Sequence, residues 1–232
     1  MELIVDGLGE ALRRILTLDP DVRDAALASL AISGTATVLA LTTGVPLGAM
    51  LGLGRFRGRK LVLSLVNTGM GVPPVTVGLF VAIFVYRSGP LSDLDAFCTR
   101  GAMVAAQYLL AAPAVVGLTA VAVQSVDPML RLQLQALGAT SWQVLVIMVR
   151  ETRLLLLTAA MAAFGAVISE IGASSMVGCN IKGDTRILTT AIALYTGRGE
   201  FGLAIALSVI LVIIVFAMTA TLTWVQQRRR TL

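Results

Sequence analysis

The sequence predicts an all-α protein that lies in a membrane and crosses it about five times, and three observations carry this. Hydrophobic residues make up 57% of the 232 residues and charged ones 13%, where soluble domains hold about 25% charged residues. Mean hydropathy is +0.89. The apolar residues gather into five runs, approximately 28–53, 61–86, 102–124, 154–177 and 202–224, each near the roughly 20 residues that about 30 Å of hydrocarbon requires. Finally, basic residues concentrate in alternate connections, as in multi-pass proteins. The size suits one domain. We divide it into an N-terminal segment, 1–24, and a transmembrane domain, 25–232.

In residues 1–24, Leu3, Ile4, Leu8, Leu12, Ile15 and Leu16 recur at helical spacing. They predict a short amphipathic helix at the interface, ended by Asp19-Pro20. A basic n-region, short apolar core and cleavage site are missing there, so we expect no cleaved signal peptide. The first span carries Gly44, Gly48 and Gly52, a small-residue row that lets another helix approach closely. Gly54-Arg55-Phe56-Arg57-Gly58-Arg59-Lys60 lacks the spacing of a phosphate-binding P-loop and reads as a basic turn. The second span contains Pro73 and Pro74, which must break the helix and free carbonyls for a neighbour or a water-lined path. A structural kink and a pathway-lining break fit equally.

Between the third and fourth spans lies a stretch of different character, Asp127 to Arg153. Asp127 can cap a helix begun by Pro128. Residues 129–137 then form a short helix that Gly138 ends by adopting φ > 0. Thr140 and Gln143 have capping-box spacing for a second helix, from Ser141 to about Arg153. Two short helices meeting at a glycine form an elbow that projects into water for another protein to hold.

Orientation follows from the loops. Arg55, Arg57, Arg59, Lys60, Arg131, Arg150, Arg153, Arg228, Arg229 and Arg230 fall on one side, with Asp127 and Glu151 the only acids there. Basic and acidic residues are nearly balanced on the other. The positive-inside rule puts the elbow and C-terminus in the cytoplasm and the N-terminus outside. The net charge of +5 resides mostly in these loops and predicts no nucleic-acid partner. Histidine is absent, which removes the commonest general base and metal ligand. Neither a catalytic constellation nor metal-ligand spacing appears, and we expect no enzyme and no cofactor in this chain. Cys98 and Cys179 fall in separate outer loops where a bridge is permitted, but we expect them unpaired.

Glu170 lies within the fourth apolar run, where an ionisable group must face protein or water. It could serve a gate beside a path, with Gly172, or simply bind local backbone. Beyond it, Asn180, Lys182 and Arg186 form a polar outer turn, where Lys182 and Arg186 could attract an anion, dock an extracellular partner or simply be solvated.

Two groups of residues resemble a known family. Gln135-Ala136-Leu137-Gly138-Ala139-Thr140-Ser141-Trp142 is similar to the EAA loop of ABC importer permeases, although the usual glutamate falls on Leu132 and the two alanines on Gln133 and Leu134. Glu170-Ile171-Gly172-Ala173, Met176-Val177-Gly178, Asn180-Ile181, Gly183, and Thr185-Arg186 with Leu188-Thr189-Thr190-Ala191-Ile192 resemble tungstate-type permeases, with molybdate permeases close by. Gly71-Val72-Pro73-Pro74-Val75 and Arg87-Ser88-Gly89-Pro90-Leu91 fit the same branch. Cys179 and Asp184 depart from it. The resemblance implies a type I ABC importer permease fold and a homodimer in the bacterial or archaeal inner membrane. It also implies two cytoplasmic ATPase subunits that bind ATP and Mg, and an extracytoplasmic oxyanion-binding protein. Gln135, Ala136, Leu137, Gly138, Ala139 and Trp142 would couple to the ATPase. Pro73, Pro74, Glu170 and Gly172 would form the gate or path, and Asn180, Lys182 and Arg186 would meet the binding protein. Tungstate is the expected cargo, with molybdate or sulfate as alternatives. A self-sufficient secondary transporter would need its own coupling-ion site and usually internal repeats, and neither is visible.

Overall fold

The computed structural model describes residues 19–228 together with Gly9, Arg13 and Thr17. Helices dominate, and the described residues include no strand. The elements are α1 (Pro20–Leu53), α2 (Arg59–Gly71), α3 (Pro74–Val85), α4 (Arg100–Gln124), α5 (Pro128–Ala136), α6 (Ser141–Glu151), α7 (Arg153–Ile168), α8 (Gly172–Gly178), α9 (Leu188–Gly197) and α10 (Phe201–Arg228). A single 3₁₀ turn spans Ser92–Leu94. Helices α1, α4 and α10 are each long and apolar enough to cross a membrane. Two bent pairs, α2–α3 and α7–α8, each make a further broken span, for up to five.

The first span begins earlier than the sequence suggested. Asp19 accepts from the Asp21 amide at 2.9 Å and Pro20 occupies the first turn, so this pair opens α1. A proline needs no amide partner at that position, which serves a helix start as well as a stop. The rest of the amphipathic segment lies outside the described residues.

Helix α4 is the central post, and α1 packs along it through the predicted glycine row. A Cβ on Gly48 would lie 2.5 Å from the Val116 carbonyl oxygen and 2.7 Å from Thr119 Cβ, and one on Gly52 2.9 Å from the Ala120 oxygen. Lipid tails are as apolar as leucine, so close van der Waals approach rather than expulsion of water must hold such helices together. The core is accordingly rich in small residues. Ala40, Ala111, Val115, Ala163 and Val167 join α1, α4 and α7. Ala49, Val123, Val144 and Met148 bring in the elbow helix α6. At the opposite end, Val22, Ala25, Leu188, Ala191, Leu207 and Ile210 bind α9 and α10 to α1. The exposed Val212, Ile213 and Phe216 of α10 face outward, as a lipid-facing surface does.

Three further expectations need correction. The run 154–177 is not one helix: α7 stops at Ile168 and α8 leaves it at 56°. Leu188–Gly197 forms a helix where the sequence reading saw only a polar turn and two threonines. Cys98 and Cys179 are joined by a disulfide, their Cα atoms 5.1 Å apart. Neighbouring backbone pairing explains the meeting, because the Cys98 amide donates to the Val177 carbonyl at 3.0 Å. Distant loops can be brought together by the helices that end in them.

Candidate functional site: an elbow and two touching breaks

The elbow forms as its residue types dictate. Asp127 accepts from the Met129 amide at 2.8 Å and starts α5. Gly138 takes φ 82, with nothing near the position of an added Cβ, so backbone conformation alone requires glycine there. Thr140 and Gln143 make the reciprocal capping box, with Gln143 N–H to Thr140 Oγ1 at 3.3 Å and Thr140 N–H to Gln143 Oε1 at 2.8 Å. Helix α6 ends at Glu151, two residues short of the expected point. Its inner face is anchored by Val144 and Met148. Gln135, Ala136, Leu137, Gly138 and Trp142 are exposed and Ala139 half-buried. Leu137 and Trp142 are 84% and 67% exposed, leaving a large apolar tip on a rigid base.

The elbow is tied to α1 by charge. Arg131 donates to the Leu53 carbonyl at 2.9 Å, and Arg59 to the Leu51 and Gly52 carbonyls at 2.8 and 3.4 Å. These are the orphan carbonyls of a helix C-terminus, where cations are also favoured by the helix dipole. The sequence places these arginines on one side without indicating that they close a helix.

The second region is where the two broken spans meet. Helices α2 and α3 bend by 99° at Val72–Pro73, as the prolines require. The start of α3 packs on the start of α8. A Cβ on Gly172 would lie 2.5 Å from Val75 Cγ2, and one on Gly78 2.5 Å from Ala173 Cα. Val75, next after Pro73 and Pro74, therefore touches Gly172, two residues after Glu170, and all four predicted path residues fall in one neighbourhood. Pro73 and Pro74 are exposed in the single chain and Glu170 is 7% exposed.

Glu170 closes the first turn of α8. Its carboxylate accepts from the Ala173 and Ser174 amides at 2.8 and 3.1 Å and from Ser174 Oγ at 3.4 Å. Gln107, buried in α4, donates to Ser174 Oγ at 3.1 Å, and Thr189 Oγ1 of α9 donates to the Glu170 carbonyl at 3.0 Å. Gln107 and Ser174 were missed in the sequence. Gln107 stands inside an apolar run, the same signal that singled out Glu170.

The outer turn is built, not loose. Arg186 Nε donates to Asn180 Oδ1 at 3.2 Å and Thr190 Oγ1 to the same oxygen at 3.1 Å. Thr185 Oγ1 binds the Gly178 carbonyl. Lys182 pairs with Asp21 at 2.7 Å and Arg100 with Asp184 at 2.8 Å. The Asp21 carboxylate, by hydrogen bond and charge, raises the Lys182 pKa. A cavity of about 160 Å³ lies beside this turn, lined by Asp21, Lys182, Arg186, Tyr195 and Glu200 among others. No group of three metal-ligating side chains exists among the described residues.

Broken spans that touch at their breaks, with an anchored elbow projecting from the bundle, define the membrane subunit of a transporter. The profile of the family described as the binding-protein-dependent transport system inner membrane component matches residues 44–231, and the chain belongs to that family. It is thus a multi-pass inner-membrane permease, not an enzyme. It is 37% identical over 227 residues to a tungstate uptake system permease protein from Peptoclostridium acidaminophilum, covering 98% of this chain and 100% of that one. It is 30% identical over 201 residues to the molybdenum transport system permease protein of Escherichia coli K12, covering 82% and 86%. A chain of the MetNI methionine ABC transporter, solved in inward-facing conformations, shares the fold with TM-score 0.75 at 17% identity, covering 91% of this chain and 97% of that one. The all-α importer-permease fold expected from the sequence is confirmed.

Proposed function

We propose that this chain is the permease of an ATP-driven tungstate importer. Two copies form one translocation path, two cytoplasmic ATPase subunits bind ATP with its Mg, and an extracytoplasmic binding protein delivers the oxyanion. The supporting observation is the elbow: an exposed apolar tip at Leu137 and Trp142, hinged at Gly138 and tied through Arg131 to α1. When the ATPases close, the tip moves with them. The buried anchors Val144 and Met148 pass that motion into the bundle. The breaks at Pro73–Pro74 and Glu170–Gly172 are where two rigid halves can change angle, and they line the gate. The turn at Asn180, Lys182 and Arg186 receives the binding protein. The elbow and C-terminus are cytoplasmic and the N-terminus is outside. No cofactor is bound by this chain itself.

The tungstate assignment draws on likeness to the tungstate permease over almost the full chain. Uptake of labelled tungstate in cells carrying the intact system, challenged with molybdate and sulfate, tests it. Stronger competition by molybdate than by unlabelled tungstate overturns it. Gly138→Val tests the coupling: φ 82 disfavours a β-branched side chain, at a cost of about 1–2 kcal/mol. The variant should lose most stimulation of ATPase activity by loaded binding protein while still inserting in the membrane. Normal stimulation refutes the lever. A cysteine placed at Trp142 should react with an impermeant maleimide only from the cytoplasmic side.

A further inference from the structure

We propose that the groove between α5 and the ends of α1, α2 and α4 binds the phosphate headgroup of an anionic phospholipid. The groove encloses about 470 Å³, and Arg55, Arg59 and Arg131 line it with no carboxylate among the lining residues. Three arginines lining one groove without an acid concentrate positive potential where a phosphodiester is the natural complement. Two of the three are fixed in place, since Arg59 and Arg131 each spend donors on α1 carbonyls and retain others, a guanidinium having five N–H groups. Arg55, Arg57 and Lys60 form no ion pair with any described residue.

Depth selects the lipid. The groove begins where the apolar run of α1 ends, at Gly52 and Leu53, and adjoins the start of α2 at Arg59. That is headgroup level for a chain that spans a bilayer. Val123, Val126, Leu132 and Met148 form its apolar wall, suited to glycerol and the first acyl carbons and poorly suited to a hydrated free dianion. A protein partner gripping the elbow would meet the projecting tip at Leu137 and Trp142, and Gln135 alone of the coupling residues also lines this recess. Bound there, the lipid would neutralise arginines that position α5, so the site would hold the elbow's base. The inference needs only that the chain spans a bilayer, so it stands or falls apart from the choice of cargo.

The test is native mass spectrometry of the intact complex, exchanged into mixtures of phosphatidylglycerol and phosphatidylcholine. The wild type should retain phosphatidylglycerol preferentially. R55Q leaves both capping arginines in place and should lose that preference severalfold. R57Q removes equal charge two residues away, at a position that does not line the groove, and should keep it. Equal loss in both variants means general electrostatics and overturns the site. So does displacement of phosphatidylglycerol by millimolar inorganic phosphate, which would mark a free-oxyanion site. Loss of bound ATPase with lipid retention unchanged would assign the cluster to a protein contact and overturn it too.

Discussion

Replacing Glu170 by alanine asks whether this carboxylate acts as a helix cap or as a group in the path. Helix α8 has seven residues, Gly172–Gly178, too few to be stable on local interactions. Its first turn depends on Glu170, which is 7% exposed and accepts two backbone amides at 2.8 and 3.1 Å. Each buried amide left without an acceptor costs about 1–3 kcal/mol. Two such amides give roughly 2–6 kcal/mol, and partial rescue by water or relaxation leaves about 2–4 kcal/mol. A chain of this length loses about 2–4 °C of melting temperature per kcal/mol, so Glu170→Ala should melt some 5–15 °C below the wild type in detergent. Glu170→Gln keeps one carbonyl oxygen and should lose about half as much. Thermal unfolding by tryptophan fluorescence and retention of the folded peak on size exclusion report the shift. A Glu170→Ala variant that melts within about 1 °C of wild type refutes the capping argument. If that variant also fails to transport, the carboxylate acts in the path.

Two other outcomes follow from the packing. Gly48→Val places a side chain against the Val116 carbonyl and Thr119, and overpacking of this kind costs about 1–3 kcal/mol. Gly34→Val, with nothing within 4 Å of its Cβ, should be neutral in the same thermal assay, and equal melting of the two variants would deny that the glycine row seats α1 on α4. Cys98→Ser removes a bridge across a sequence separation of 81, for which about 2–4 kcal/mol is typical. Its melting temperature should match that of the wild type under reductant, and a wild type indifferent to reductant would show that the bridge carries no stability.

The links between these regions matter for how motion could pass through the chain. Gln107 on the central helix donates to Ser174, which donates to Glu170, while Thr189 of α9 holds the Glu170 carbonyl. Three helices thus converge on one break. The disulfide fixes the far end of α8 beside the start of α4. The short helix is thus tied to its neighbours at both ends.

The sequence by itself determined the spans, the elbow and the break in the second span. Each depends on residues close in the chain: runs of apolar side chains, a glycine between two caps, two prolines that cannot continue a helix. Gly138 at φ 82, the Thr140–Gln143 box and the α1 glycine row behave as their local chemistry demands. Only the tertiary structure decided what lies between distant segments. It showed that Gly172 meets Val75, that Arg131 closes α1, that Cys98 finds Cys179 and that Glu170 caps the start of α8. A one-dimensional pattern records which groups must be satisfied inside a membrane, because leaving a buried polar group unpaired is costly wherever it sits. It does not record which partner satisfies them, since that depends on the angles at which helices cross and bend.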